Sequence, residues 1–196
     1  MQKFEKQSDL FNNNNFDYTI DNISENIYIN KKVITDWQKN IVNYQSQLLI
    51  KQSQNLNQYT LFKSKPDELY DRFNPFDLTP LPLSFWRWPK PTHNGAAIYF
   101  VIDKQSNTND NIILYIGETF SAGKRWKGDH DCKSYLDSYS EILQKADLNP
   151  NLNIRFWLDV PINTKERRKL EQKLIQTWLP PFNKETREIW STPFTS

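Results

Sequence analysis

Two apolar runs of strand length, close together in the second half of the chain, constrain its fold more than any other feature. Ala97 to Ile102 reads AIYFVI and Ile112 to Ile116 reads IILYI, with the polar stretch Asp103 to Asn111 between them. A strand with one wet face alternates apolar and polar residues. These runs do not alternate, so both faces must be covered. The spacing predicts an antiparallel hairpin at the centre of a sheet, with packing layers on either side.

The residues that follow supply those layers. Gly117 ends the second run, and Ser121 opens a short helix containing Lys124, Arg125 and Trp126. A further helix is expected from about Asp131 to Ala146, with Tyr135, Tyr139, Ile142 and Leu143 inward. Asn153 to Val160 alternates, with Ile154, Phe156 and Leu158 opposed to Arg155 and Trp157, and reads as a third strand. Thr164 to Leu179 reads as a last helix, stopped by Pro180 and Pro181. The order β-β-α-α-β-α predicts an α+β fold, with a small three-stranded antiparallel sheet flanked by helices.

Residues 1–92 have a different texture. The asparagine run at 12–15 reads as compositional drift. Short alternating segments follow (Phe16, Tyr18, Ile20, then Ile27 to Ile29), and then a helix in which Trp37, Ile41, Tyr44 and Leu48 recur at helical spacing. Thr35 and Gln38 fit a capping box at its start. Between Pro66 and Pro91 lie Pro75, Pro80, Pro82 and Pro89 with Trp86 and Trp88, a density that excludes a regular helix or central strand. An extended connection crossing a surface is expected there. A boundary near residue 92 then separates a mixed N-terminal extension, 1–92, from a domain at 93–196.

The 196 residues contain no apolar run approaching a membrane span, and Met1 to Leu10 is unlike a signal peptide, so a cytoplasmic location without membrane contact is expected. A net charge of +2 is too small to announce a nucleic-acid partner, leaving any basic patch local. One cysteine, Cys132, excludes an intrachain disulfide, and with two histidines it cannot form a structural zinc site. Without a triad partner, Cys132 reads as a small buried residue.

Glu171 stands out in the last helix. At 100° per residue it falls within the stripe of Leu170, Leu174, Ile175 and Trp178 rather than opposite it. A carboxylate facing a core is costly unless a cation or metal ion meets it. Arg167, one turn earlier, is one candidate, which would make the pair structural. Taken singly, Tyr99 and Tyr115 read as half-buried sheet aromatics, and Arg125 as a solvated helix residue.

Taken in order, these residues resemble the GIY-YIG nuclease domain, from about Gly95 to Asn183. Ala97-Ile98-Tyr99 stands at the first signature and Tyr115-Ile116-Gly117 matches the second. Arg125 follows at the start of the next helix, Glu171 lies in the late helix, and Asn183 closes the motif. The resemblance implies a divalent-metal-dependent endonuclease cutting nucleic-acid phosphodiester bonds, with double-stranded DNA as partner. Glu171 would hold Mg²⁺ or Mn²⁺, and Arg125 would offer its fork of donors to a phosphate. Tyr99 would position or deprotonate the attacking water, and a nearby cation must then lower its pKa from the usual value near 10. Tyr115 would complete the network, with His130 as an auxiliary acid/base. Lys124, Lys127 and Asn183 would contact nucleic acid, and Lys165, Arg167, Arg168, Lys169 and Lys173 add positive charge on the last helix. Ala97 replaces the usual glycine of the first signature. The alternative reading is therefore a catalytically inactive nucleic-acid-binding module of the same fold. One site per chain makes one nick, and the oligomeric state is left open.

Overall fold

The computed structural model describes residues 31–52, 73–90, 93–105, 108, 110–128 and 131–192. Helix α1 (31–52) comes first. It is followed by β1 (Leu81–Pro82), β2 (Ala97–Lys104), β3 (Asn111–Thr119), α2 (Ala122–Lys127), α3 (Asp131–Lys145), β4 (Leu152–Trp157) and α4 (Thr164–Trp178). The strands form one antiparallel sheet in the order β1-β4-β2-β3. Among the described residues no helix is long and apolar enough to cross a membrane.

The hairpin sits where the apolar runs place it, with β2 interior and almost wholly buried. One face of the sheet packs against Trp37 and Ile41 of α1, Trp126 of α2, and Leu136, Tyr139 and Leu143 of α3. The other face presents Ile98, Phe100, Ile102, Ile113 and Ile116 to Leu174, Ile175 and Trp178 of α4. Each large side chain buried in this way contributes about 1.5–3 kcal/mol. Helix α4 starts on Asn163, whose side chain accepts from the backbone N–H groups of Lys165 and Glu166. It ends at Leu179, in the left-handed region at φ 45°, just before Pro180.

A bulge in the hairpin decides which side chains reach which face. Val101 pairs with Tyr115, but Ile102 pairs with Ile113, so Leu114 is the extra residue on β3. Side chains alternate along a strand, and one inserted residue reverses the alternation beyond it. Ile113 and Ile116 therefore face α4, and Tyr115 and Gly117 face the same side as Tyr99, directly opposite Gly117.

Strand β3 is an edge, yet its outward groups are satisfied. Gln45 of α1 accepts from Ile113 N (2.9 Å) and donates to Ile113 O (3.1 Å). Asn183 accepts from Ile116 N (2.9 Å) and donates to Ile116 O (2.8 Å). Phe182 N donates to Leu114 O at 3.0 Å, and Glu171 Oε1 accepts from Glu118 N at 3.0 Å. Capped in this way, the edge offers no template for a further strand.

Three expectations need correction. The sheet has four strands, because Leu81 and Pro82, inside the proline-dense connection, pair with Ile154 and Asn153. Proline lacks an N–H, so the addition is confined to the outer edge and to two residues. Thr35 and Gln38 are not a capping box, since the helix is already formed at residue 31. Thr35 Oγ1 bonds Lys31 O, and Gln38 donates to the Tyr139 hydroxyl. Strand β4 stops at Trp157, leaving Leu158 beyond it and 51% exposed.

Candidate active site

Four of the five expected catalytic residues come together at the end of β3. The rings of Tyr99 and Tyr115 lie near-parallel at 6.0 Å on one face of the hairpin. Tyr99 reaches across β3 because Gly117 leaves room: a Cβ there would stand 2.9 Å from Cε1 of Tyr99 and closer still to its Cζ and Oη. The glycine is required by close approach rather than by an unusual backbone angle. Trp126 fixes the arrangement from the other side, edge-on to Tyr99 at 5.8 Å. It is buried and anchors α2, which carries Arg125.

Arg125 is exposed on α2, and its guanidinium lies in the electrostatic neighbourhood of both phenols. Tyr99 is buried and Tyr115 half-buried. Burial, followed by the charges of Tyr115 and Cys132, pushes the Tyr99 phenol well above its usual value, and Arg125 opposes this without winning. Burial is also the largest cause that pushes Tyr115 up to about 12, with Cys132 and Glu171 adding to it. The direction is opposite to the lowering that a phenolate base needs. At neutral pH both tyrosines keep their protons and act as donors.

Glu171 completes the group from the α4 side. Desolvation, with the charge of Glu118, pushes its carboxyl up from 4.5 to about 7, and the Glu118 N–H pulls the other way. Its charge is felt at Tyr115, so phenol and carboxyl share one neighbourhood. Arg167 is not its partner. The Arg167 guanidinium is buried, with Nε on Glu118 Oε2 at 2.8 Å and Nη1 on the carbonyls of Pro161 and Ile162. Arg168 meets the other Glu118 oxygen at 3.3 Å. Glu118 thus takes the cations that the helix spacing offered to Glu171, and Arg167 is withdrawn from any phosphate-facing surface.

The other expected residues distribute unevenly. Lys124 and Lys127 are exposed on α2, one on either side of Arg125 in sequence. Asn183 is 4% exposed, and its amide is committed to Ile116 as an edge cap rather than turned to solvent. His130 lies outside the described residues. Cys132 is buried behind the phenols, where burial pushes its thiol up and keeps it inert. His93 meets Ala96 O at 3.2 Å. Ala97 is fully buried as an ordinary strand residue opposite Thr119, so its methyl is accommodated. Sequence reasoning missed Glu118, an acid at the end of β3 that meets two arginines of α4, far away in sequence.

The carboxyl chemistry fits one hard divalent cation. A half-buried carboxylate beside a like charge is relieved by such an ion, and Mg²⁺ takes few protein ligands while keeping several waters. Among the described residues no group of three or more His, Cys, Asp or Glu side chains is placed to hold a metal. A cation here would be shared with substrate rather than caged by protein. Comparisons of this chain with protein-family models, with curated proteins and with solved structures find no match.

Proposed function

We propose that this cluster is the active site of a divalent-metal-dependent endonuclease of GIY-YIG type, hydrolysing phosphodiester bonds in DNA. One observation carries the reading: an exposed Arg125 lies beside two protonated phenols, one of which also feels a carboxyl that burial has raised to about 7. An exposed guanidinium offers its planar fork of donors to an incoming anion. Tyr115, half-buried, donates to a non-bridging phosphate oxygen alongside Arg125. Tyr99, sealed under Trp126, is a positioning residue that fixes Arg125 and Tyr115. Glu171 in its ionised form, with Oε1 locked on the Glu118 amide, would hold Mg²⁺ or Mn²⁺. When bound, that ion would lower the pKa of the attacking water and supply positive charge to the phosphoryl oxygens and the leaving oxygen as charge gathers there. The protein groups would supply the phosphate contacts.

Plasmid nicking tests the proposal, with Mg²⁺ against EDTA, on the native chain and on Glu171→Gln. Nicking by the native chain in Mg²⁺ alone is expected, with at least a hundredfold loss in the variant. Nicking that persists in EDTA or in the variant overturns the metal-nuclease reading.

A further inference from the structure

Next to this cluster, on the far side of α2, lies a cavity of about 350 Å³ that the catalytic reading does not use. Its walls include Phe85, Trp86, Trp88 and Asn94 on one side and Lys124 and Lys127 on the other. The aromatic wall comes from the segment around the 3-10 turn Phe85–Arg87, ahead of the nuclease-like part of the chain. That segment is fixed rather than loosely attached. Phe85 is 2% exposed and packs edge-on against Trp126 at 6.1 Å, and against Phe156 of β4 at 5.2 Å. Trp126 is also the ring that holds Tyr99, so the cavity and the catalytic cluster share one rigid anchor.

The lining has two chemistries. Trp88 is 45% exposed and lines the cavity, so part of its ring is open to a ligand there. Trp86 carries cations over its ring, Arg87 at 5.0 Å and Lys133 at 5.7 Å. Lys124 and Lys127, three residues apart, share the face of α2 that lines the cavity, one residue before and two after Arg125, the residue assigned to the scissile phosphate. A cavity with tryptophans on one wall and two lysines on the other matches a ligand that is part ring and part phosphate.

We propose that this cavity receives an unpaired nucleotide adjacent to the cut, its base stacked on Trp88 and its flanking phosphates met by Lys124 and Lys127. The inference rests on the nuclease reading for the position of the cut, though not for the binding itself. A base paired within a duplex cannot present its face to a tryptophan, so the site selects DNA in which a nucleotide is bulged or extruded. The duplex on either side supplies the sequence-independent contacts.

Affinity for a duplex carrying a three-nucleotide bulge is compared with that for the fully paired duplex, both fluorescein-labelled, in EDTA so that nothing is cut. The native chain is expected to bind the bulged DNA about tenfold more tightly, the scale of one base stacked on an aromatic ring. Trp88→Ala removes that preference and leaves affinity for the paired duplex unchanged, and Trp88→Phe restores most of it. Equal affinity of the native chain for the two DNAs, or a preference that survives Trp88→Ala, overturns the inference. Failure of the catalytic reading is recognised separately: Mg²⁺-dependent nicking is then absent and the tryptophan-dependent preference persists.

Discussion

Replacing Glu171 by glutamine should make the metal-free protein more stable at alkaline pH, against the usual outcome for a half-buried polar residue. The carboxyl moves from 4.5 to about 7 on folding, because burial and Glu118 disfavour its charged form. At about 1.4 kcal/mol per pH unit this is about 3 kcal/mol, and solvent screening of a half-buried group reduces it to about 2 kcal/mol. The folded state holds the proton more tightly than the unfolded chain does. The contribution is therefore complete below about pH 4.5 and is lost as pH rises through about 7. Glutamine keeps the acceptor for the Glu118 N–H and carries no charge at any pH. At about 3 °C per kcal/mol for a chain of this size, Glu171→Gln in EDTA should melt about 6 °C above the native chain at pH 8.5. The two should converge near pH 4.5. Added Mg²⁺ should raise the Tm of the native chain at pH 8.5 and leave the variant unmoved. Thermal denaturation followed by circular dichroism across that range reads all three effects. A glutamine variant that melts below the native chain at pH 8.5 refutes the reasoning, because the carboxylate would then be gaining a partner rather than lacking one.

Arg125→Lys keeps a charge but loses the planar fork, so nicking should fall about a hundredfold while urea stability changes by about 0.5 kcal/mol or less at this exposed position. Gly117→Ala drives a methyl into the Tyr99 ring and should cost about 1–3 kcal/mol in chemical denaturation, with loss of nicking from the displaced phenol. Asn183→Ala leaves both Ile116 backbone groups unpaired, and a loss of about 2–4 kcal/mol is expected by urea titration. The nicking rate at fixed Mg²⁺ should rise as pH passes through about 7, where Glu171 ionises, and the midpoint should move lower as Mg²⁺ concentration rises.

The hairpin was legible because its residues are apolar on both faces, and burial on both faces leaves a strand no other place than the interior of a sheet. The bulge at Leu114 was not legible. One extra residue in an unbroken apolar run changes no pattern, yet it puts Ile113 on the same face as Ile116, toward α4. Strand β1 was hidden by Pro82, which sequence rules remove from any central position and which the outer edge accepts. Glu171 announced itself as a charge inside an apolar stripe, and Gln45 carried the same signal in α1. It falls four residues after Ile41 and three before Leu48, on the buried face, and it clamps the edge of β3. The partner of Arg167 was misread because helix spacing sees only neighbours on the same helix. Glu118, a strand residue far away in sequence, reaches the guanidinium first.

The edge of β3 also separates the two explanations of Glu171. Gln45 and Asn183 each meet a residue that offers both an N–H and a carbonyl, and an amide answers both with one side chain. At Glu118 the N–H bonds Glu171. A glutamine would accept that N–H as well as glutamate does and would avoid a charge beside Glu118, already neutralised by Arg167 and Arg168. As a cap alone, an acid at this position costs stability above neutral pH and returns nothing. Under the proposed function the same acid, whose charge reaches Tyr115, gains what glutamine lacks, a charge to share with a divalent cation. Two caps thus close an N–H and a carbonyl with one amide, and the third, built from the less stable side chain on a single N–H, is the one whose charge reaches Tyr115.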